Sequence, residues 1–403
     1  MSMSNPIRLV KREILTYFLV FIFLFVNLSS IIVSAQDNIP ADDSVIIVDD
    51  EDSEALEEDI SNDDSGINEE EGLEHIVEGN KFFVSVDGDN NNDGSMENPF
   101  RTIIHALAAI PSGSELIIRG GTYTNDEIAM LSEKSGISIK NYENEVVNII
   151  NQDNKYFFVS NCTDITIKGL NIAYSSGASK NVLIVSNSSN IDISNVHFTG
   201  GDMYFLRTDT YKLYSSMFTE AQGDSGITIR DCENGKVYNN ISYNNTNYGI
   251  YLLGNSSNNL IYNNTLAKNV KRDVLVLSNA NLGTPRDNKI FNNIILKGIE
   301  FLNINNEDLI ALNDFNYNAY DESIANNMAK INSSHPDGIN YEDFKALSSS
   351  PEQNAVIGNI SFIDSSINDF RLKGDSICIG NGTSENAPAH DYRGLERSTR
   401  IDI

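Results

Sequence analysis

A chain of 403 residues with 57 Asp and Glu against 28 Lys and Arg carries a formal charge of −29. A surface of that sign repels phosphate, so nucleic acid and anionic lipid are not expected partners. Three cysteines offer neither a disulfide framework nor metal-ligand spacing.

At the N-terminus, Arg8, Lys11 and Arg12 precede an apolar run from Leu15 to Leu28 and a small-residue site at Val33-Ser34-Ala35. This order predicts a secretory signal over residues 1–35, cleaved after Ala35. Left uncleaved, the run could serve as an N-terminal anchor, being only just short of spanning length. Residues 36 to 80 hold 18 Asp or Glu and no Lys or Arg. Such composition cannot bury enough apolar surface to offset its ordering entropy, and residues 36–79 read as an acidic disordered spacer. The folded body is expected to start near Asn80.

From there the sequence repeats. Five segments align without gaps, ending at Gly169, Asn195, Ser215, Asn239 and Asn263, at intervals of 26, 20, 24 and 24, with a sixth ending at Asn292. Apolar residues fall two before each end (Ile167, Ile193, Leu213, Val237, Ile261), and often four before (Ile165, Ile191, Tyr211). Period two marks a short strand with one face inward. A second strand precedes it, with Val159, Val185, Phe205, Ile229 and Leu253 ten before the ends and Phe157, Leu183, Met203, Ile227 and Tyr251 two earlier. Turns rich in Asn, Asp, Ser, Thr and Gly separate the two, and a third apolar stretch follows each end, as in Val196-His197-Phe198. Three short strands per repeat, none able to bury its inner face alone, predict stacked coils: an all-β parallel β-helix, or solenoid, over residues 80–298.

The stretch from Phe82 to Thr124, with its strand, turn, amphipathic segment Phe100 to Ile110 and Gly-Thr-Tyr at Gly121-Thr122-Tyr123, resembles the opening of pectate-lyase-like right-handed β-helix proteins. Asp369 to Ile377, Ala387-Pro388, Asp391, Gly394, Arg397 and Ile401-Asp402-Ile403 resemble the closing segment of such secreted proteins. The resemblance implies a right-handed coil and a helical cap over the N-terminal end. It implies little about activity, because this fold hosts lyases, hydrolases, epimerases and adhesins.

The register makes testable placements. Cys162 and Cys232 share one coil position three rungs apart, ~14 Å at a ~4.8 Å rise, too far for a disulfide. They should be free and buried in a ladder with Ser188, Thr208 and Ser256. Outward positions align Tyr214, Tyr238 and Tyr262 in a column continued by Phe291, with Lys212 and Lys236 beside it. Stacked aromatics flanked by cations suit sugar rings and uronate carboxylates, although an aromatic ladder covered by a loop has the same signature.

For a lyase, which needs a base and a cation to neutralise the uronate carboxylate, Lys212 and Arg230 are the candidate pair; the Asp clusters of calcium-dependent pectate lyases are not recognisable here. Asp87, Asp89, Asn91 and Asp93 alternate like calcium ligands, but the twelfth position from Asp89 is Phe100 rather than Glu. His197 reads as a packing or turn-edge residue. Nine glycosylation-type sequons follow the signal, several inside the repeat's own turns.

Residues 299–403 read as an irregular C-terminal segment that packs on or closes the solenoid, with a short helix around Tyr341 to Leu347. Phe158, Ile184, Tyr204 and Leu252 form an outward apolar stripe on the second strand, which that segment is expected to cover. The sequence points to a monomeric, secreted or cell-surface, adhesin-like protein that binds a polysaccharide or surface glycan without catalysis. The alternative is a polysaccharide lyase acting by β-elimination on uronate-containing glycans, with calcium as the only cofactor to consider.

Overall fold

The computed structural model describes residues 80–403 apart from 153–154, 176–180, 224, 280, 304–308, 332–333 and 348. The expected signal and acidic spacer lie outside the described residues. No helix among the described residues is long and apolar enough to cross a membrane.

Three ten-stranded sheets, almost wholly parallel, make a solenoid. We call them sheet 1 (for example Thr163–Lys168), sheet 2 (Asn171–Tyr174) and sheet 3 (Phe157–Ser160), visited in the order 1, 2, 3 in every coil. The alternating pattern explains the register. In sheet 1, Ile139, Ile167, Ile193, Leu213, Val237, Ile261 and Ile290 pair directly from coil to coil. All seven are at most 1% exposed. Sheet 3 stacks Val159, Val185, Phe205 and Ile229 in the same way. Each of these side chains contributes roughly 1.5–3 kcal/mol of apolar burial.

One coil of sheet 3 is a residue out of phase with the sequence register. Ile229 pairs with Leu252 and Ile227 with Ile250, so Leu252 and Ile250 point inward, rather than Leu253 and Tyr251. The turn before sheet 1 holds one more residue there, and Gly254 supplies its left-handed bend at φ +69. Sheet 1 downstream is unshifted.

The three corners carry buried asparagine ladders that sequence inspection reads only as polar turns. At the corner from sheet 1 to sheet 2, Asn264 Oδ1 accepts from Asn240 N and Nδ2, both at 3.0 Å, and Asn293 and Asn318 repeat the contact. Asn259, Asn288 and Asn313 form a second ladder, and Asn245 and Asn269 a third. Each amide satisfies backbone groups that the tight turn leaves without strand partners. Two ladders end on buried carboxylates. Asn318 Nδ2 donates to Glu352 at 2.7 Å, and Asn269 Nδ2 to Asp273 at 2.8 Å. Burial pushes each of these acids up to about 7.

The cysteine placement holds. All three thiols are free and buried. Cys162 N donates to Ser188 Oγ, Thr208 N to Cys232 Sγ and Cys232 N to Ser256 Oγ, which reproduces the predicted ladder.

Helix Ile103–Ala109 plugs the N-terminal end with Ile103, Ala106 and Leu107, and Thr102 caps it by accepting from His105 N at 3.2 Å. The helix is shorter than the amphipathic stretch because Phe100 is engaged in a bridge to Val84. Parallel pairing runs beyond the expected boundary at residue 298: Ile299–Asn303, Asp314–Asn316 and Ala319–Asp321 all join their sheets. Antiparallel pairing of Ala329–Ile331 with His335–Ile339, and helix Tyr341–Lys345 with buried Phe344, close that end.

The remaining C-terminal segment lies elsewhere than expected. It packs its apolar residues Phe362, Phe370, Cys378 and Ile403 against the outer face of sheet 2, at Tyr243, Ala267 and Ile294. The stripe on sheet 3 stays half-buried at Phe158, Ile184 and Tyr204, and Leu252 is not part of it because it points inward. On sheet 2 the outward residues Met217, Ile241 and Ile294, with Thr265 between the last two, are the ones that pack on the C-terminal segment.

Candidate functional site

In-register parallel strands force identical positions to stack. Tyr214, Tyr238, Tyr262 and Phe291 are direct partners on successive coils of sheet 1. Their rings lie 4.9, 5.0 and 5.1 Å apart at interplanar angles of 1°, 13° and 1°. The column divides into two halves. Tyr262 and Phe291 are 5% and 6% exposed, next to the asparagines that hold the C-terminal segment. Tyr214 and Tyr238 are half-buried and open into a cleft of about 830 Å³, which Tyr262 reaches only by its edge of exposed surface.

Lys212 and Lys236 pair with each other two residues before these tyrosines and line the same cleft, both exposed. Asn171, His197 and Met217, partners in sheet 2, form the adjoining wall. The opposite wall is the stretch 388–394, with His390, Tyr392 and Arg393. Sequence inspection missed this wall. It is held by the residue that ends each rung: Asn239 Nδ2 donates to His390 O at 2.8 Å and Asn239 Oδ1 accepts from Arg397 Nη2 at 2.9 Å. Asn263 donates to Asp402 O, and Asn292 exchanges two hydrogen bonds with the Thr383 backbone. These three asparagines sit in the left-handed conformation at φ +53, +52 and +54, which turns their amides outward as hooks. Ser215, at the same position one coil earlier, has a shorter side chain, and there the cleft is open.

Burial raises the phenol pKa of Tyr214 and Tyr238 and holds that of Tyr262 at about 12, so the stacked rings stay uncharged. Burial lowers the His197 imidazole, with Glu220 opposing, and leaves it neutral at pH 7. Arg393 is tied to Asp391 at 2.9 Å. A second, more apolar crevice of about 490 Å³ adjoins the cleft and shares Met217, Asn239 and Tyr392 with it.

The structure does not bring Lys212 and Arg230 together. Arg230 ends a strand of sheet 3, with its Nε 3.3 Å from Asp231 Oδ2, and is not among the residues lining the cleft. His197 lies in the predicted sheet 2 column but also lines the cleft. In the candidate calcium loop, Asp89 Oδ1 accepts from Asn91 N and Asp93 Oδ1 from Ser95 N, both at 2.9 Å, and Asp87 N donates to Ser85 Oγ. The carboxylates of Asp89 and Asp93 thus serve their own turns. Among the described residues no three His, Cys, Asp or Glu side chains are grouped to hold a metal ion.

Residues 135–315 match a family model described as a right handed beta helix region. A curated relative, the uncharacterized protein YwoF of Bacillus subtilis (strain 168), is 28% identical over 206 residues, 44% of each chain, so the match spans less than half the relative's length. Among solved structures, the pectate lyase Pel9A aligns over 79% of this chain and 96% of its own at 14% identity and a TM-score of 0.48. The surface adhesin PfbA of Streptococcus pneumoniae aligns over 58% and 74% at 12% identity and 0.33. The matched region and the three parallel sheets identify the body of this chain as a right-handed parallel β-helix.

Proposed function

We propose that this is a secreted or cell-surface β-helix protein that holds a glycan, without turning it over, in the cleft between sheet 1 and residues 388–394. The observation that carries the reading is the open half of the aromatic column. Tyr214 and Tyr238 present parallel rings 4.9 Å apart in a cleft that also contains Lys212 and Lys236. Flat uncharged rings stack on the apolar faces of sugars, and the ammonium groups receive hydroxyl or carboxylate oxygens. The separation of Lys212 from Arg230 supports binding over catalysis, since the expected base and cation lie on different sheets.

The second reading, a uronate polysaccharide lyase, draws support from one feature: Lys212, Lys236 and a neutral His197 line one cleft, so a cation and a base are available there without Arg230. One experiment separates the two. The protein is incubated with pectate, alginate and glycosaminoglycans, with and without calcium. Binding is read by calorimetry, and unsaturated products by absorbance. Binding that Tyr238→Ala abolishes, with no absorbance change, is the expected result. Turnover lost in Lys212→Ala would establish the lyase instead.

A further inference from the structure

The cleft does not end the cationic surface of sheet 1. Lys140 and Lys168 are direct coil-to-coil partners, as are Lys212 and Lys236. Like charges placed directly opposite each other in a sheet are unfavourable, and this chain has twice as many acidic as basic residues with which to avoid them. Each pair has one lysine with an acidic neighbour. Lys140 contacts Glu115, and Lys212 Nζ is 4.0 Å from Asp192 Oδ2. Lys168 and Lys236 are exposed and have no ion-pair partner among the described residues.

Lys140 and Lys168 occupy the same outward column as Tyr214 and Tyr238, with Ser194 between them. Two coil steps separate Lys168 from Tyr214, about 10 Å along the axis. The end of the cleft nearest this pair is lined by Asn171 and Asn195, on the coils of Lys168 and Ser194. Asp192, the carboxylate lying between the two lysine pairs, has Lys212 beside it. We propose that Lys140 and Lys168 form a second, distal anion-binding subsite, so that a polyanionic glycan seated on Tyr214 and Tyr238 continues along sheet 1 toward the N-terminal cap. This rests on the glycan-binding reading of the cleft and adds the direction and charge of the bound chain. The chemistry recognised is a row of carboxylate, sulfate or phosphate groups on a sugar or polyol backbone.

The test uses the full chain and size-defined probes: oligogalacturonates, heparin oligosaccharides and poly(glycerol phosphate) for the three anions, and cello-oligosaccharides as the neutral control. Lys140→Gln/Lys168→Gln alters only outward side chains, and an unchanged melting temperature confirms its fold. The double variant is expected to bind anionic decasaccharide-length probes about fivefold more weakly, with reduced salt dependence, while binding trisaccharides as the wild type does. Tyr238→Ala should lose both lengths. Which anionic set shows the length effect identifies the anion. Equal affinity of the double variant and wild type for long anionic probes overturns the distal subsite and leaves the cleft reading intact, as does equal wild-type affinity for long neutral and long anionic probes. Absence of binding by any probe removes both.

Discussion

Tyr214 and Tyr238 on one side, and Tyr262 and Phe291 on the other, occupy the same column and stack with nearly the same spacing; besides the hydroxyl that Phe291 lacks, they differ in how far they are buried. The buried half lies next to the segment that Asn263 and Asn292 hold in place; the open half lies where Ser215 offers no such hook. Position in a solenoid fixes a side chain's neighbours within the stack, whereas its role depends on a segment 91 or more residues away.

Substitution breaks this comparison most sharply. Phe291→Ala removes a buried ring and is expected to cost about 3–5 kcal/mol, read as a lowered urea midpoint. Tyr214→Ala should cost about 1 kcal/mol or less in the same measurement and instead remove glycan binding. If both variants lose stability equally, the two halves are one structural ladder. Next in size is a pH effect on the buried, C-terminal side. Glu352 and Asp273 titrate at about 7 in the folded chain, above ordinary values of 4.5 and 3.8. The folded state therefore binds more protons between about pH 4 and 7, so this contribution is fully present at the acid end and is lost as pH rises to 7. Each shift corresponds to a contribution on the order of 3 kcal/mol. Glu352→Gln should unfold at a higher urea midpoint than the wild type at pH 8 and show a flatter pH profile; a profile unchanged from the wild type would refute the assignment.

Smaller again is the loss of one ladder amide. Asn264→Ala strands the Asn240 backbone N–H and is expected to cost about 1–3 kcal/mol, measured by the same denaturation. The smallest effect is chemical. Cys162, Cys232 and Cys378 are buried, and burial raises the last two thiols to about 12. None should react with a thiol reagent in the native protein, and all three should react in unreduced denaturant.

How much of this was visible beforehand differs by kind of contact. The strands of sheets 1 and 3 were legible because period-two apolarity recurs at nearly constant intervals. The slip at Leu252 and Leu253 arose because two adjacent leucines give no phase. The coils past residue 298 were missed although Asn240, Asn264, Asn293 and Asn318 carry the register across that boundary; they were read as turn residues, since burial of an amide leaves no mark in a sequence. The tyrosine column and its lysines were legible from the register alone. The cleft wall was not, because the bond from Asn239 to His390 spans 151 positions and follows no period. The buried sequons Asn240 and Asn263 make the same point: the motif is present, yet their amides are committed within the fold.

The single extra residue, Asn255, between Gly254 and Ser256, has a wider meaning. It displaces one strand of sheet 3 by a position and leaves sheet 1 untouched, because the next asparagine ladder re-imposes alignment at Asn259. Errors in length are therefore corrected once per coil instead of accumulating along the axis. A fold with that property can acquire or lose loop residues at one corner while the recognition surface on the very next strand keeps its geometry, and the corner from sheet 3 to sheet 1 is where such a chain can be lengthened without being unmade.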